Sequence, residues 1–355
     1  MRRKERRLKV RRLFVLGAGA SHRVSSAASK ERQAPLDLEF CERLTEVKAV
    51  KPKWVERCRE FIQKEWRDEK PFSSFGLEQA ILCQLGHLEF IDAIHPRRRK
   101  TSLTAFKYMN ELSHLVCYVL RHARENTNGA YRRFADEVFP AGKTVDEIRD
   151  RVVTFNYDEL LEKHLFERFG VREIYFDELR DALYPKRKSN CKCPFPLVVK
   201  LHGSVNWRCS NKAFEQIVRG QPDDQGNDFI DPVWYSKVGT PSPSEDSSPL
   251  IMPPLPVKPI THVSLFRFLW TTAYEYLHEA EELVICGYSL PDADRMAQAM
   301  FANFSNRSVK QITVVEPSPE VVSKWRALLK RKNVGRARWS YYEDFDEYVE
   351  AMEPR

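Results

Sequence analysis

The chain has 355 residues, 42% of them hydrophobic and 30% charged, enough for one large domain or two ordinary ones with a substantial core. No run approaches the roughly 18 apolar residues that a membrane helix needs, which excludes a spanning segment and leaves no membrane partner to expect. The formal charge of +8 is local: Arg2, Arg3, Lys4, Arg6, Arg7, Lys9, Arg11 and Arg12 against Glu5 put +7 on residues 2–12 and leave +1 for the rest.

A solvated basic arm over 1–12 is the simplest account of that charge, and any nucleic-acid contact is confined to it. The remaining basic clusters, Arg97–Lys100 and Lys186–Lys188, sit beside prolines in expected loops. Arg11-Arg12-Leu13-Phe14 imitates a twin-arginine export signal, but the apolar stretch behind it is about eight residues long. It reads better as a strand, Leu13 to Leu16, running into Gly17-Ala18-Gly19-Ala20-Ser21. A cytoplasmic protein is expected. Eight cysteines, at 41, 58, 83, 117, 191, 193, 209 and 286, form no C-x-x-C and fall mostly in apolar-periodic sequence, which suits a reducing compartment. Cys191 and Cys193 make a single C-x-C, and no metal site is expected from it.

From Leu36 to Val138 apolar residues keep a spacing of three to four: Leu38, Cys41 and Leu44; Leu77, Ile81, Leu85 and Leu88; Phe106, Met109, Leu112, Val116 and Val119. This predicts an all-helical insertion, 36–148, after the first strand. Strand signals return at Val152–Phe155, Leu197–Leu201, Leu283–Cys286 and Ile312–Val315. Helices are expected over Glu159–Phe169, from Pro291 and from Pro319. Residues 206–262, rich in Asp, Gly, Ser and Pro, read as a long surface excursion, partly mobile. Short, wholly apolar strands alternating with helices predict one α/β domain over 1–355: a Rossmann-like parallel sheet covered by helices on both faces.

Each of these strands ends in a glycine, a small polar residue or a group able to do chemistry. Ligands of open α/β sheets bind outside the carboxyl ends of the strands, so the endings should meet in one cleft. Gly17, Ala18, Gly19 and Ser21 form a turn that lets backbone N–H groups approach a pyrophosphate, or simply a tight turn. The third glycine of the dehydrogenase fingerprint is replaced by His22, and Asp37 and Glu39 lie in helical sequence rather than after a second strand, which disfavours an ordinary dehydrogenase. Asn156 and Asp158 either cap the next helix or hold a ribose hydroxyl, a water or a carboxamide. His202, beside Gly203, is either structural or a base. Gly287, Tyr288 and Ser289 precede an expected helix start whose N–H groups could take phosphate. Glu316 is either a surface acid or a ligand for the two hydroxyls of an adenosine ribose.

In order, the endings are G-A-G-A-S, T-F-N-Y-D, K-L-H-G-S, C-G-Y-S-L-P-D-A-D and V-V-E-P. This order resembles the sirtuin superfamily, and more closely its bacterial sirtuin-like branch, much of which serves in antiphage defence. Pro249-Leu250-Ile251-Met252-Pro253-Pro254 with Lys258, and Trp270 and Ala273 ahead of Glu282-Leu283-Val284-Ile285, extend the match. The resemblance implies an NAD hydrolase. Asn156 and His202 would be catalytic, with Gly17, Ala18, Gly19, Ser21, Asp158, Gly287, Tyr288, Ser289 and Glu316 around the dinucleotide. NAD would be the substrate and no metal would be needed. It also implies a homo-oligomer and an activating partner or trigger. Deacylating sirtuins have glutamine where this chain has Phe155, and carry a zinc ribbon of two C-x-x-C pairs absent here, so a deacylase is the weaker alternative. A sensor that binds NAD or ADP-ribose without cleaving it stays open.

Overall fold

The computed structural model describes residues 9–26, 32–46, 52–66, 71–94, 99–169, 174–175, 196–219, 234–235, 247–252, 264–329 and 334–352. Six strands, β1 (Arg12–Leu16), β2 (Arg151–Thr154), β3 (Val198–Lys200), β7 (Glu282–Cys286), β8 (Gln311–Val315) and β9 (Arg338–Tyr342), form one sheet in the order β3-β2-β1-β7-β8-β9. Every pairing in it is parallel. The reason is visible in the side chains: Leu13, Phe14, Val15, Ile285 and Val314 are no more than 1% exposed, so the central strands are covered on both faces, as parallel sheets must be. Counting only these strands, the order is 3-2-1-4-5-6, a Rossmann-like arrangement whose direction of winding reverses between β1 and β7.

Between β1 and β2 the described residues are helical: α1 (Ala18–Val24), α2 (Phe40–Glu46), α3 (Pro52–Trp66), α4 (Leu77–Ile94), α5 (Arg99–His122) and α6 (Ala130–Val138), with no strand among them. Arg99 and Lys100 open α5 instead of lying in a loop. α7 (Leu160–Phe166) follows β2. The ring of Phe134 in α6 meets Phe14 of β1 edge-on at 4.8 Å, seating that helix on the sheet.

Three expectations are corrected. Arg12 is not part of a solvated arm: it opens β1, is 4% exposed and, with Arg11, grips Asp150, with Arg12 Nη2 at 2.6 Å from Oδ2. The described parts of the 206–262 stretch are not a surface excursion either. β4 (Gly203–Ser210) is buried from Gly203 to Cys209 and pairs antiparallel with β5 (Trp234–Tyr235) and with the buried β6 (Ser247–Ile251). α8 (Asn211–Arg219) and α5 pack on this second sheet. The Pro- and Asp-rich composition hid a buried antiparallel sheet whose Trp207 and Cys209 are fully buried. Third, the helix expected from Pro291 begins only at α10 (Arg295–Asn303), after Leu290 at φ 54°. α9 (Ser264–Glu279) precedes β7, and α11 (Pro319–Leu328) and α12 (Phe345–Glu350) follow β8 and β9. Residues 1–8, Arg97 and Arg98, Lys186–Lys188, Cys191, Cys193, Pro253, Pro254 and Lys258 lie outside the described residues. Among the described residues no helix is long and apolar enough to cross a membrane.

Candidate functional site

The turn after β1 and the turn after β7 are pressed together. The N–H of Gly17 donates to Cys286 O and that of Gly19 to Gly287 O, each at 2.9 Å. A Cβ on Gly17 would stand 2.5 Å from Gly287 O, and one on Gly287 (φ 59°) only 2.1 Å from Ala20 N. These glycines are therefore demanded by backbone packed on backbone. A cavity of about 930 Å³ opens beside them, at the carboxyl ends of the parallel strands where the winding reverses. Ala18, Gly19, Ser21, Asn156, Asp158, His202, Gly287, Tyr288, Ser289 and Glu316 all line it. Gly17 does not; its part is to hold the turn.

Asn156 leaves the end of β2 with its amide fixed. Nδ2 donates to Gly17 O and to Ser21 Oγ, both at 2.9 Å. A backbone carbonyl only accepts, so the atom facing Gly17 must be the NH2 group, and this settles which way the amide points. Oδ1 is buried and accepts no hydrogen bond among the described residues. It is the one polar atom of the side chain left for a ligand. Ser21, expected at the pyrophosphate, is instead committed to Asn156 and to Tyr131 OH, 3.1 Å away.

His202 lies between the end of β3 and the start of β4, where Met252 N donates to its carbonyl at 2.6 Å. Its Nε2 is 2.9 Å from Oδ2 of Asp294, a residue with no exposed surface. Tyr288 OH donates to that same oxygen at 2.9 Å. Phe155 stacks on the Tyr288 ring at 3.9 Å and meets the His202 ring edge-on at 5.2 Å; Tyr157 lies 5.9 Å from it. The two aromatic neighbours of Asn156 in sequence thus hold His202 in space. The phenols of Tyr157 and Tyr288 are pushed well above their usual range by burial and by the Asp294 charge, so both stay protonated donors.

The remaining predicted residues divide. Asp158 does cap: its Oδ1 accepts from Leu160 N at 2.9 Å, while the residue still lines the cavity. Ser289 is exposed and caps nothing; Asp294 caps α10 through Ala297 N. Glu316 accepts from Ser318 N at 3.2 Å, and burial raises its carboxyl above the usual range.

Sequence reasoning gave no role to Asp37, Glu39, Glu78, Glu343, Asp344 or Asp294. Among the described residues seven carboxylates and one arginine, Arg23, line the cavity, and Arg23 is paired with Asp344. Glu343 and Asp344 follow β9, whose Trp339, Tyr341 and Tyr342 carry a strand composition that could have been read. The signal for Asp294 was ambiguous, because Asp292 is an equally good cap two residues earlier. Among the described residues no group of three or more His, Cys, Asp or Glu is placed to hold a metal ion. No protein-family model matches the chain, and no curated protein matches it.

Proposed function

We propose that the chain is an NAD glycohydrolase of the bacterial sirtuin-like kind, cleaving the nicotinamide–ribose bond. The observation that carries this reading is the meeting of Asn156 Oδ1, a buried acceptor without a partner among the described residues, with His202 in one cavity at the winding reversal. The cavity's volume falls inside the range of about 300–1,000 Å³ usual for ligand sites. Its acidic lining favours a ligand with a cationic ring, and nicotinamide in NAD is one.

In this reading the C1′–N bond breaks and its electron pair neutralises the departing nicotinamide, which therefore needs no acid. Asn156 Oδ1 holds the ribose or the water. A water oxygen bonds to C1′ as its proton passes to His202. The products are nicotinamide and ADP-ribose; capture by a ribose hydroxyl in place of water gives a cyclic form. Glu316 takes the adenosine ribose, Asp158 the carboxamide, and Ala18, Gly19, Gly287 and Ser289 the phosphates. The whole chain is one NAD-binding domain with residues 36–148 as a helical insertion after the first strand. It acts in the cytoplasm, in antiphage defence by NAD depletion, and is held in check by assembly or a partner.

Purified protein incubated with NAD over a range of protein concentrations, with products identified by mass, tests this. We expect nicotinamide in step with ADP-ribose, and a loss on the order of 10²–10⁴ in rate for His202→Ala with NAD affinity retained. Tight NAD binding without product makes the chain a sensor. Absence of both binding and product sinks the proposal.

A further inference from the structure

A dinucleotide brings negatively charged phosphates into a cavity lined, among the described residues, by seven carboxylates, and something must offset that repulsion. The N–H groups of Gly17, Gly19, Ala20 and Gly287 cannot do so, because each already donates to a backbone carbonyl. We propose that Arg23 is the pyrophosphate-binding side chain of the cavity, and that Asp344 competes with the ligand for it. The inference rests on the reading of the cavity as an NAD-cleaving site.

Arg23 lies on α1 four residues beyond Gly19, so the two share a helix face. A helical side chain leans back over the preceding turn, which here is the glycine turn. Both residues line the cavity, and Arg23 is the one arginine or lysine among the described residues that does so. Its guanidinium is a planar fork suited to phosphate oxygens, and the side chain is 57% exposed, so little packing holds it in place. In the structure it pairs with Oδ2 of Asp344, just past the end of β9. The other oxygen, Oδ1, caps α12 by accepting from Asp346 N at 2.6 Å. Arg133 holds α12 separately, through Asp346 at 3.3 Å and Glu350 at 3.2 Å. The helix therefore keeps its cap and its anchor when Arg23 lets go. An exposed ion pair is weak, whereas an arginine fork on phosphate makes two charge-assisted hydrogen bonds, so the exchange runs toward the ligand.

Calorimetry with ADP-ribose, which carries the pyrophosphate but no nicotinamide, tests both halves. Arg23→Gln is expected to weaken ADP-ribose binding by about 10- to 100-fold with the unfolding temperature near wild type. Its loss in NAD cleavage falls on KM rather than kcat. Arg23→Lys keeps the charge without the fork, lands between the two, and serves if the glutamine variant is unstable. Asp344→Asn keeps the cap and is expected to tighten ADP-ribose binding by about two- to fivefold, a gain that shrinks in the Arg23→Gln background. An equal gain in both backgrounds overturns the competition, since it reflects only one fewer repelling charge. An Arg23→Gln affinity within about twofold of wild type overturns the whole proposal. A wild type that binds ADP-ribose but leaves NAD intact overturns the hydrolase reading instead, and the Arg23 variants still decide this one. A wild type that binds neither ADP-ribose nor NAD sinks both.

Discussion

Glu159 shows how burial beside the cavity reshapes a single side chain. It is 4% exposed, next to Asp158, and its Oε1 has no hydrogen-bond partner among the described residues. Burial, reinforced by Glu162, pushes its carboxyl up to about 7 against the opposing charges of Lys200, Lys163 and Arg121. Lys200 does not answer for it, since Nζ is bonded to Glu162 Oε1 at 2.6 Å and Asp158 O at 2.5 Å. Below the unfolded-state value near 4.3 both states bind the proton and Glu159 costs nothing. As pH rises from there to about 7 the unfolded chain ionises first, so the fold loses stability over that window and no further above it. Glu159→Gln is expected to raise stability at pH 8 by on the order of 2 kcal/mol and to change nothing at pH 4. Chemical unfolding at the two pH values checks this; equal effects at both would mean the carboxyl is not displaced.

At the scale of elements, the two glycine turns lock against each other beside the site. The sheet brings the ends of β1 and β7 side by side, paired from Arg12 with Glu282 to Leu16 with Cys286, so their turns have no room for side chains between them. Gly287→Ala meets two obstacles at once, a left-handed φ of 59° and backbone atoms of Gly19 and Ala20 within 3 Å. A cost of about 2–4 kcal/mol is expected from strain plus displacement, read as a fall in unfolding temperature with weakened NAD binding. A variant with unchanged melting would show that the turns do not touch. The glycines themselves were legible in the sequence, because short apolar runs ending in glycine have few other meanings. Their packing was not: sequence suggested room for phosphate, and the structure adds that turn is packed on turn beside the cavity. The same holds for Ser21, whose hydroxyl steadies Asn156. The positions of β1, β2, β3, β7 and β8 were legible to within a residue or so, because burial on both faces leaves unbroken apolar runs; the half-exposed edge strand β9 was not. The start of α10 was not, since it depends on a left-handed Leu290 that no local pattern announces.

Across the whole molecule, what the sequence concealed is long-range. β4 and β6 read as loop because their pairing, Arg208 with Pro249 and Ser210 with Ser247, spans a stretch of turn-forming composition. Helices α5 and α8 cover the sheet they make, so residues assigned to two separate additions share one apolar layer. Arg11 and Arg12 were likewise misread as part of a solvated arm. Arg11 and Arg12 converge on Asp150, just ahead of β2, so that β1 and β2 begin from a common ionic clamp. Burial alone would raise the Asp150 carboxyl, but the hydrogen bonds and charges of the two arginines outweigh it and hold the group below the usual carboxylate range. Its contribution is complete above the unfolded-state value near 3.9 and is lost as pH falls through the lower folded value. Asp150→Asn leaves the buried Arg12 guanidinium with only Glu137, 3.7 Å away, as counter-charge at neutral pH, where removing one partner of a buried pair costs about 3–5 kcal/mol. Unfolding measured at pH 7 and again near pH 3 separates cause from packing. The gap between wild type and variant should be widest at neutrality and shrink in acid, as the wild-type carboxyl takes up its own proton. A gap independent of pH would assign the loss to shape instead of charge.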